Sequence, residues 1–254
     1  MAGVLDQAFD YPLELEEHAS IPLAGGIMQN GYQCGMIWGA TLAAGAQAFR
    51  LYGPGPQTEA KAITAAQRLV KAFHANSGEI DCFEITDIDK SSSTMKMIYV
   101  FLIKGKTIGC MRMSAKFAKI ALKEINTVLS EKNTKAPSPP VSCAAVLAEK
   151  MGASELQTVM AAGFAGGIGL CGGGCGALGA AIWIHGINKG KEPDSKIDFN
   201  DPEIAELIEK FLKSSDYEFE CSAIVGRKFE NIEDHANYIR DGGCSEIIDA
   251  LAKM

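Results

Sequence analysis

The sequence predicts an all-α protein: two homologous helical-bundle repeats packed as a pseudo-dimer. Three observations carry this. Apolar residues recur at helical spacing through most of the chain, the two halves repeat one another in cysteine and glycine register, and one Pro-rich stretch divides the chain near its middle. That stretch, EKNTKAPSPPV at 131–141, is polar, and its three prolines block helix and sheet alike. The expected division is 1–130, a linker at 131–141, and 142–254, with repeats of normal domain size.

The elements follow in chain order. The N-terminal MAGVLDQAFDYPL has no basic region followed by an apolar stretch, so no secretion signal is read there and a cytoplasmic location is expected. In TEAKAITAAQRLVKAFHA, Ile63, Ala66, Leu69, Val70 and Phe73 fall on one helical face. MKMIYVFLIKGKTIGCMRM is ambiguous: it is rich in β-branched and aromatic residues, and Lys104-Gly105-Lys106 reads as a turn, which suits a hairpin. Its counterpart in the second half, RKFENIEDHANYIRDGGC, reads as helical, and homologous repeats share a fold, so helix and loop are expected in both. SAKFAKIALKEINTVLSEK continues the helical period through Phe117, Ile120, Ala121, Ile125 and Leu129. AAVLAEKMG and ASELQTVMAAGF read as short helices broken at Gly152. In DPEIAELIEKFLKSS, Asp201 is the expected N-cap and Pro202 suits the first turn. CSEIIDALAKM closes the chain with another amphipathic helix.

Composition narrows the class. The chain has 254 residues, 47% hydrophobic and 22% charged, which is globular rather than disordered. A net charge of −7 with no evident basic stripe argues against a nucleic-acid binder. Residues 160–187 carry no Lys, Arg, Asp or Glu and are long enough to span a membrane, but ten of them are glycine. A close-packed buried segment is therefore expected, not a span. In a reducing compartment, eight cysteines point to metal ligands or working thiols before structural disulfides.

The halves align in detail. Ala24-Gly25-Gly26-Ile27 stands beside Ala165-Gly166-Gly167-Ile168, and Cys34-Gly35 beside Cys175-Gly176. Gly45 and Gly186 each follow eleven residues after their cysteine. Cys82 and Cys221 come next, after 48 and 46 residues, and then Cys110 and Cys244, each preceded by glycine. The second half alone has Cys143 and Cys171; Ala2 and Asn30 match them, so the thiols number three against five.

Several chemistries lack their signatures. Gly167-Ile-Gly-Leu-Cys-Gly172 fits G-x-G-x-x-G but follows a helical pattern with no parallel sheet, so a dinucleotide fold is not supported. There is no C-x₂-C pair for a zinc finger, the closest pair being Cys171 and Cys175, and no C-x-x-C-H for haem. His185, beside Trp183 in an apolar stretch, reads as a core histidine. What remains is a set of thiols distant in sequence. Iron–sulfur clusters take four thiolates, and glycine lets bare amides approach the anionic sulfurs. A catalytic dithiol gains from the same amides, through a lowered thiol pKa. The residues alone leave both open.

The pattern resembles a known family, the redox-active proteins named for C…GCAxxG…C…C. The second half matches throughout, with Cys143 in VSCAAVLAEKMG, then Gly174-Cys175-Gly176-Ala177-Leu178-Gly179, then Cys221 and Cys244. The first half keeps CGMIWGA at Cys34, CFEITDID at Cys82, and Cys110, but lacks the first cysteine. The resemblance implies a small helical domain of prokaryotic, largely anaerobic origin, related to the iron–sulfur domain of split-Soret cytochromes. It makes Cys143, Cys175, Cys221 and Cys244 the candidate ligands of a [2Fe-2S] or [4Fe-4S] cluster, with Gly174 and Gly176 facing it. Cys34, Cys82 and Cys110 form an incomplete second set, which Cys171 is expected to complete across the repeat interface. The leading expectation is an electron-transfer protein with an unidentified redox partner, able to form a homo-oligomer. The rival is a thiol–disulfide oxidoreductase using Cys171 and Cys175. A third reading has the first repeat serving only to cover the second.

Overall fold

The computed structural model describes residues 1–131, 137–192 and 197–253; residues 132–136 of the expected linker lie outside the described residues. The protein is all-α. Among the described residues there is no strand, only the isolated bridges Gln33–Asp81 and Gly174–Glu220.

The first half contains α1 (Ala2–Ala8), α2 (Glu14–Ala19), a 3₁₀ turn, α3 (Ala24–Ile27), α4 (Gly35–Tyr52), α5 (Pro56–Ser77) and α6 (Cys82–Thr86). Then come α7 (Thr94–Ile98), which runs into a π turn at Tyr99–Ile103, and α8 (Lys106–Ser130). The second half contains α9 (Cys143–Lys150), α10 (Glu155–Ala162), α11 (Gly176–Gly190), α12 (Pro202–Ser214), α13 (Cys221–Val225), α14 (Ile232–Arg240) and α15 (Ser245–Leu251). The ambiguous segment at 95–113 is helical, and Gly105 makes its turn at φ 69°. The helix starts are encoded locally. Ser154 and Gln157 form a reciprocal capping box on α10. Asp201 caps α12 by accepting from Glu203 N at 3.0 Å. Behind it Ile204, Leu207, Ile208 and Phe211 are buried.

One apolar core runs through both halves. The halves join by matched exchanges, α4 packing on α10 and α11 on α2. A Cβ on Gly45 would stand 2.5 Å from Met160 Cα, and one on Gly186 would stand 3.1 Å from Ala19 O. Ala19 and Met160 occupy equivalent positions in the two repeats, as do the two glycines, so the contacts are related by the internal symmetry. At the centre the symmetry is broken usefully. Trp38 and Gly179 are also equivalent, and they touch: a Cβ on Gly179 would stand 2.2 Å from the Trp38 ring. Trp38 is fully buried and meets Phe164 edge-on at 4.8 Å. Two tryptophans could not share that space, and two glycines would leave it empty. A single chain can place one of each.

Each repeat also carries a left-handed stretch before its GC motif. Residues 25–29 and 166–170 all have φ between 48° and 75°. Such runs are rare, because a Cβ crowds the carbonyl there. Ile27 and Ile168, both at φ 60°, are β-branched residues in that region. The loop is closed by long-reach backbone bonds, Gly172 N to Gly166 O (3.0 Å) and Gly173 N to Gly167 O (3.1 Å), with Gly31–Gly25 and Tyr32–Gly26 as their counterparts.

Candidate functional site

The second-half cysteines are placed by short backbone ties. Cys175 N donates to Phe219 O (3.0 Å), and Cys221 N donates to Gly173 O (2.7 Å), which locks the two loops side by side. Cys34 N to Ile80 O (2.9 Å) and Cys82 N to Tyr32 O (2.8 Å) repeat the device in the first half. Cys143 opens α9, Cys175 is the N-cap of α11, Cys221 opens α13, and Cys244 is the N-cap of α15 at φ 60°. Four helix N-termini thus carry the four sulfurs. All four cysteines line one closed cavity of about 10 Å³, walled by Ile224, Val225, Phe229, His235, Tyr238 and Ile239.

Burial dominates the chemistry of these thiols. It pushes Cys175 up to about 12 and raises Cys143, Cys221 and Cys244, and mutual repulsion among the sulfurs adds to the shift at Cys143, Cys175 and Cys221. The N–H groups of Leu178 and Ala177 oppose it at Cys175, those of Gly166 and Ala144 at Cys143, and the Tyr238 hydroxyl at Cys244. Free thiols here stay protonated at neutral pH. A cation at the centre is what would let them ionise, since metal binding takes the thiolate and releases the proton. His235 is held neutral: burial lowers it to about 4, and its Nδ1–H donates to Val141 O at 3.0 Å.

The donor set fits a cluster by its chemistry: four thiols, with backbone amides directed at Cys143 and Cys175 and the Tyr238 hydroxyl at Cys244. Among the described residues, His185, Asp201 and Glu203 form the trio of donors that stand close enough to hold a metal ion, their ligand atoms within 4.8 Å of one another. The cavity holds about one water, so a bound cluster requires its walls to move apart.

The first half differs. Cys34, Cys82 and Cys110 line an open cavity of about 710 Å³ together with Ala2, Met36 and Phe101. Ala2 opens α1 as Cys143 opens α9. Cys34 is the N-cap of α4, and burial pushes its thiol up to about 12. Cys110, however, lies inside the continuous helix α8, where Cys244 starts a new helix. The lid differs as well. α14 closes the second cavity with His235, Tyr238 and Ile239, while the matching segment gives the first cavity only Phe101.

Three expectations change. Cys171 lines neither cavity; its sulfur meets Gly169 O at 3.6 Å, and its charged neighbours are Lys71 and Lys228. It is absent from the lining of the cavity that holds Cys34, Cys82 and Cys110, and it shares no described cavity with Cys175. Gly174 does not offer a bare amide, since its N–H donates to Gln33 Oε1 of the other repeat at 2.7 Å. Gly176 does line the cavity, but its clearest requirement is steric: a Cβ would stand 2.0 Å from Phe164 O. The residues that sequence reasoning missed are Gly166, Tyr238 and His235, which reach the thiols only through tertiary folding. His185 sits in an ion network, 3.1 Å from Glu203 Oε2 and 3.8 Å from Asp201 Oδ2, with Lys189 Nζ 2.7 Å from the same Asp201 oxygen.

Fold and site together define a duplicated all-α thiol protein with one complete and one incomplete cysteine set. The chain belongs to the family described as "Putative redox-active protein (C_GCAxxG_C_C)", whose model matches residues 1–124 and 141–254, consistent with a tandem duplication. No curated protein and no solved structure matches it.

Proposed function

We propose that the chain is an electron carrier whose second half holds an iron–sulfur cluster through Cys143, Cys175, Cys221 and Cys244. The observation that carries the reading is their placement at four helix starts around one closed cavity. Positive helix ends and directed amides favour the negative charge that thiolates and sulfides accumulate. When bound, the cluster supplies a one-electron couple. The residues around it do the rest. Ile224, Val225, Phe229 and Ile239 exclude water, and burial of this kind tunes a reduction potential. The Tyr238 hydroxyl and the N–H groups of Gly166, Ala177 and Leu178 direct hydrogen bonds at the sulfurs. The dithiol alternative is less favoured, because burial raises the Cys171 and Cys175 thiols rather than activating them.

The test is anaerobic purification with iron and acid-labile sulfide assay and a visible spectrum. The reading expects stoichiometric iron and sulfide and a broad absorption that bleaches with dithionite. Colourless, iron-free protein that consumes thiol reagents would overturn it.

A further inference from the structure

The acidic total conceals a strongly basic segment. Residues 90–123 contain eight Lys or Arg and no Asp or Glu, in a chain of net charge −7. The same segment holds the three most exposed large apolar side chains among the described residues. In α7 and its π turn, Met95, Ile98, Tyr99, Leu102 and Ile103 recur at helical spacing on the outer face, Met95, Leu102 and Ile103 at 73–75% exposure. Ile108 and Met111, near the start of α8, are exposed as well. The helix also has an apolar inner side, where Val100 is buried and Phe101 lines the first-half cavity. Further closure over that cavity would bury Phe101 and leave the outer stripe bare. A helix apolar on both sides is covered on both in its working state.

We propose that this outer face docks on an anionic lipid surface, with the apolar stripe in the headgroup boundary and the exposed Lys104 and Arg112 reaching acidic headgroups. The chemistry selects this occupant in three ways. An isologous contact with a second copy would set like charges against each other. Nucleic-acid phosphates have no use for the apolar stripe. A protein partner anchors its central side chains in pockets, and none of the residues of the stripe lines a described cavity. Basic residues flanking an exposed apolar helix face are the pattern of a peripheral membrane element. The binding is peripheral, as no helix among the described residues is long and apolar enough to cross a membrane. Docked this way, the helix that covers the first-half cavity lies against the bilayer.

The experiment is co-sedimentation of the full-length protein with phosphatidylcholine vesicles, with and without phosphatidylglycerol, at low and high salt. Binding is expected only to the anionic vesicles and is weakened by salt. Each basic residue near such a surface contributes on the order of fivefold, so Lys104→Glu with Arg112→Glu should lower partitioning by about twenty-five-fold or more. Leu102→Glu with Ile103→Glu should abolish it; both positions are exposed, and circular dichroism checks that the fold survives. Equal binding to neutral vesicles, or undiminished binding by both double variants, would overturn the proposal. So would a wild-type protein that ignores vesicles but is dimeric by light scattering, with the apolar double variant monomeric; that result assigns the face to a protein contact. None of these readouts depends on iron content.

Discussion

The two repeats present the same local scaffold around thiol sets that differ by one residue and one helix break. In the second half four sulfurs sit at four helix starts inside a closed cavity. In the first half Ala2 stands where a thiol would be, Cys110 is embedded in α8, and the cavity opens to about 710 Å³. The loops that hold Cys34 and Cys82 are nonetheless tied as those of Cys175 and Cys221 are. The scaffold therefore forms without the full donor set. The comparison separates what the fold needs, the glycine loops and paired bridges, from what a metal centre needs, the full donor set.

Several substitutions would break or sharpen that comparison. The largest expected effect is a gain. Ala2→Cys supplies the missing thiol at the start of α1, within the first-half cavity. Iron per chain, measured by colorimetric assay after anaerobic reconstitution, should rise above the wild-type value. Unchanged iron would locate the deficit in the helix around Cys110 instead. Next comes the joint between the halves. Trp38→Ala empties the space facing Gly179 and should cost about 3–5 kcal/mol in denaturant unfolding. A loss under about 1 kcal/mol would mean that the repeats do not depend on this asymmetric contact.

Acid should loosen the second half first. His235 titrates at about 4 when folded, below its ordinary value of 6.5, so the fold favours the neutral ring. Its contribution is present above the unfolded pKa and is lost as pH falls from about 6.5 through 4, on the order of 3 kcal/mol. Asp6 of α1 behaves oppositely. Burial and the nearby Glu17 raise it to about 7, so its contribution is present at low pH and is lost as pH rises through that value. Hydrogen exchange read separately on α14 and α1 should show opposite pH trends, and His235→Gln should flatten the first. The smallest effect is at Gly176→Ala, where the added methyl meets Phe164 O; overpacking there should destabilise by about 1–3 kcal/mol. A neutral result would return Gly176 to a role at the sulfurs alone.

Much of this was legible before folding. Helical period and cysteine register revealed the duplication, the α-class and the two thiol sets, because periodicity and self-similarity are local or repeat along the chain. The function of the glycines was less legible. Gly174 and Gly176 read as bare amides for a cofactor, yet one is bonded by Gln33 and the other makes room for Phe164. Both partners come from elsewhere in the chain, and Gln33 from the other repeat. The surroundings of Cys171 were not legible either, since the left-handed turn before it is a backbone feature that composition does not display. The outward stripe on α7 was hidden by its own ambiguity, since an apolar run reads alike whether its outer side is packed or bare.

The central claim is that equivalent cysteines in the two halves are not equivalent in chemistry. Iron and sulfide content of Cys221→Ser against Cys82→Ser, each purified anaerobically, tests it most directly. The account predicts that the first variant loses the cluster and its visible absorption while the second retains both. Equal iron in the two variants, or loss on Cys82→Ser alone, would contradict it.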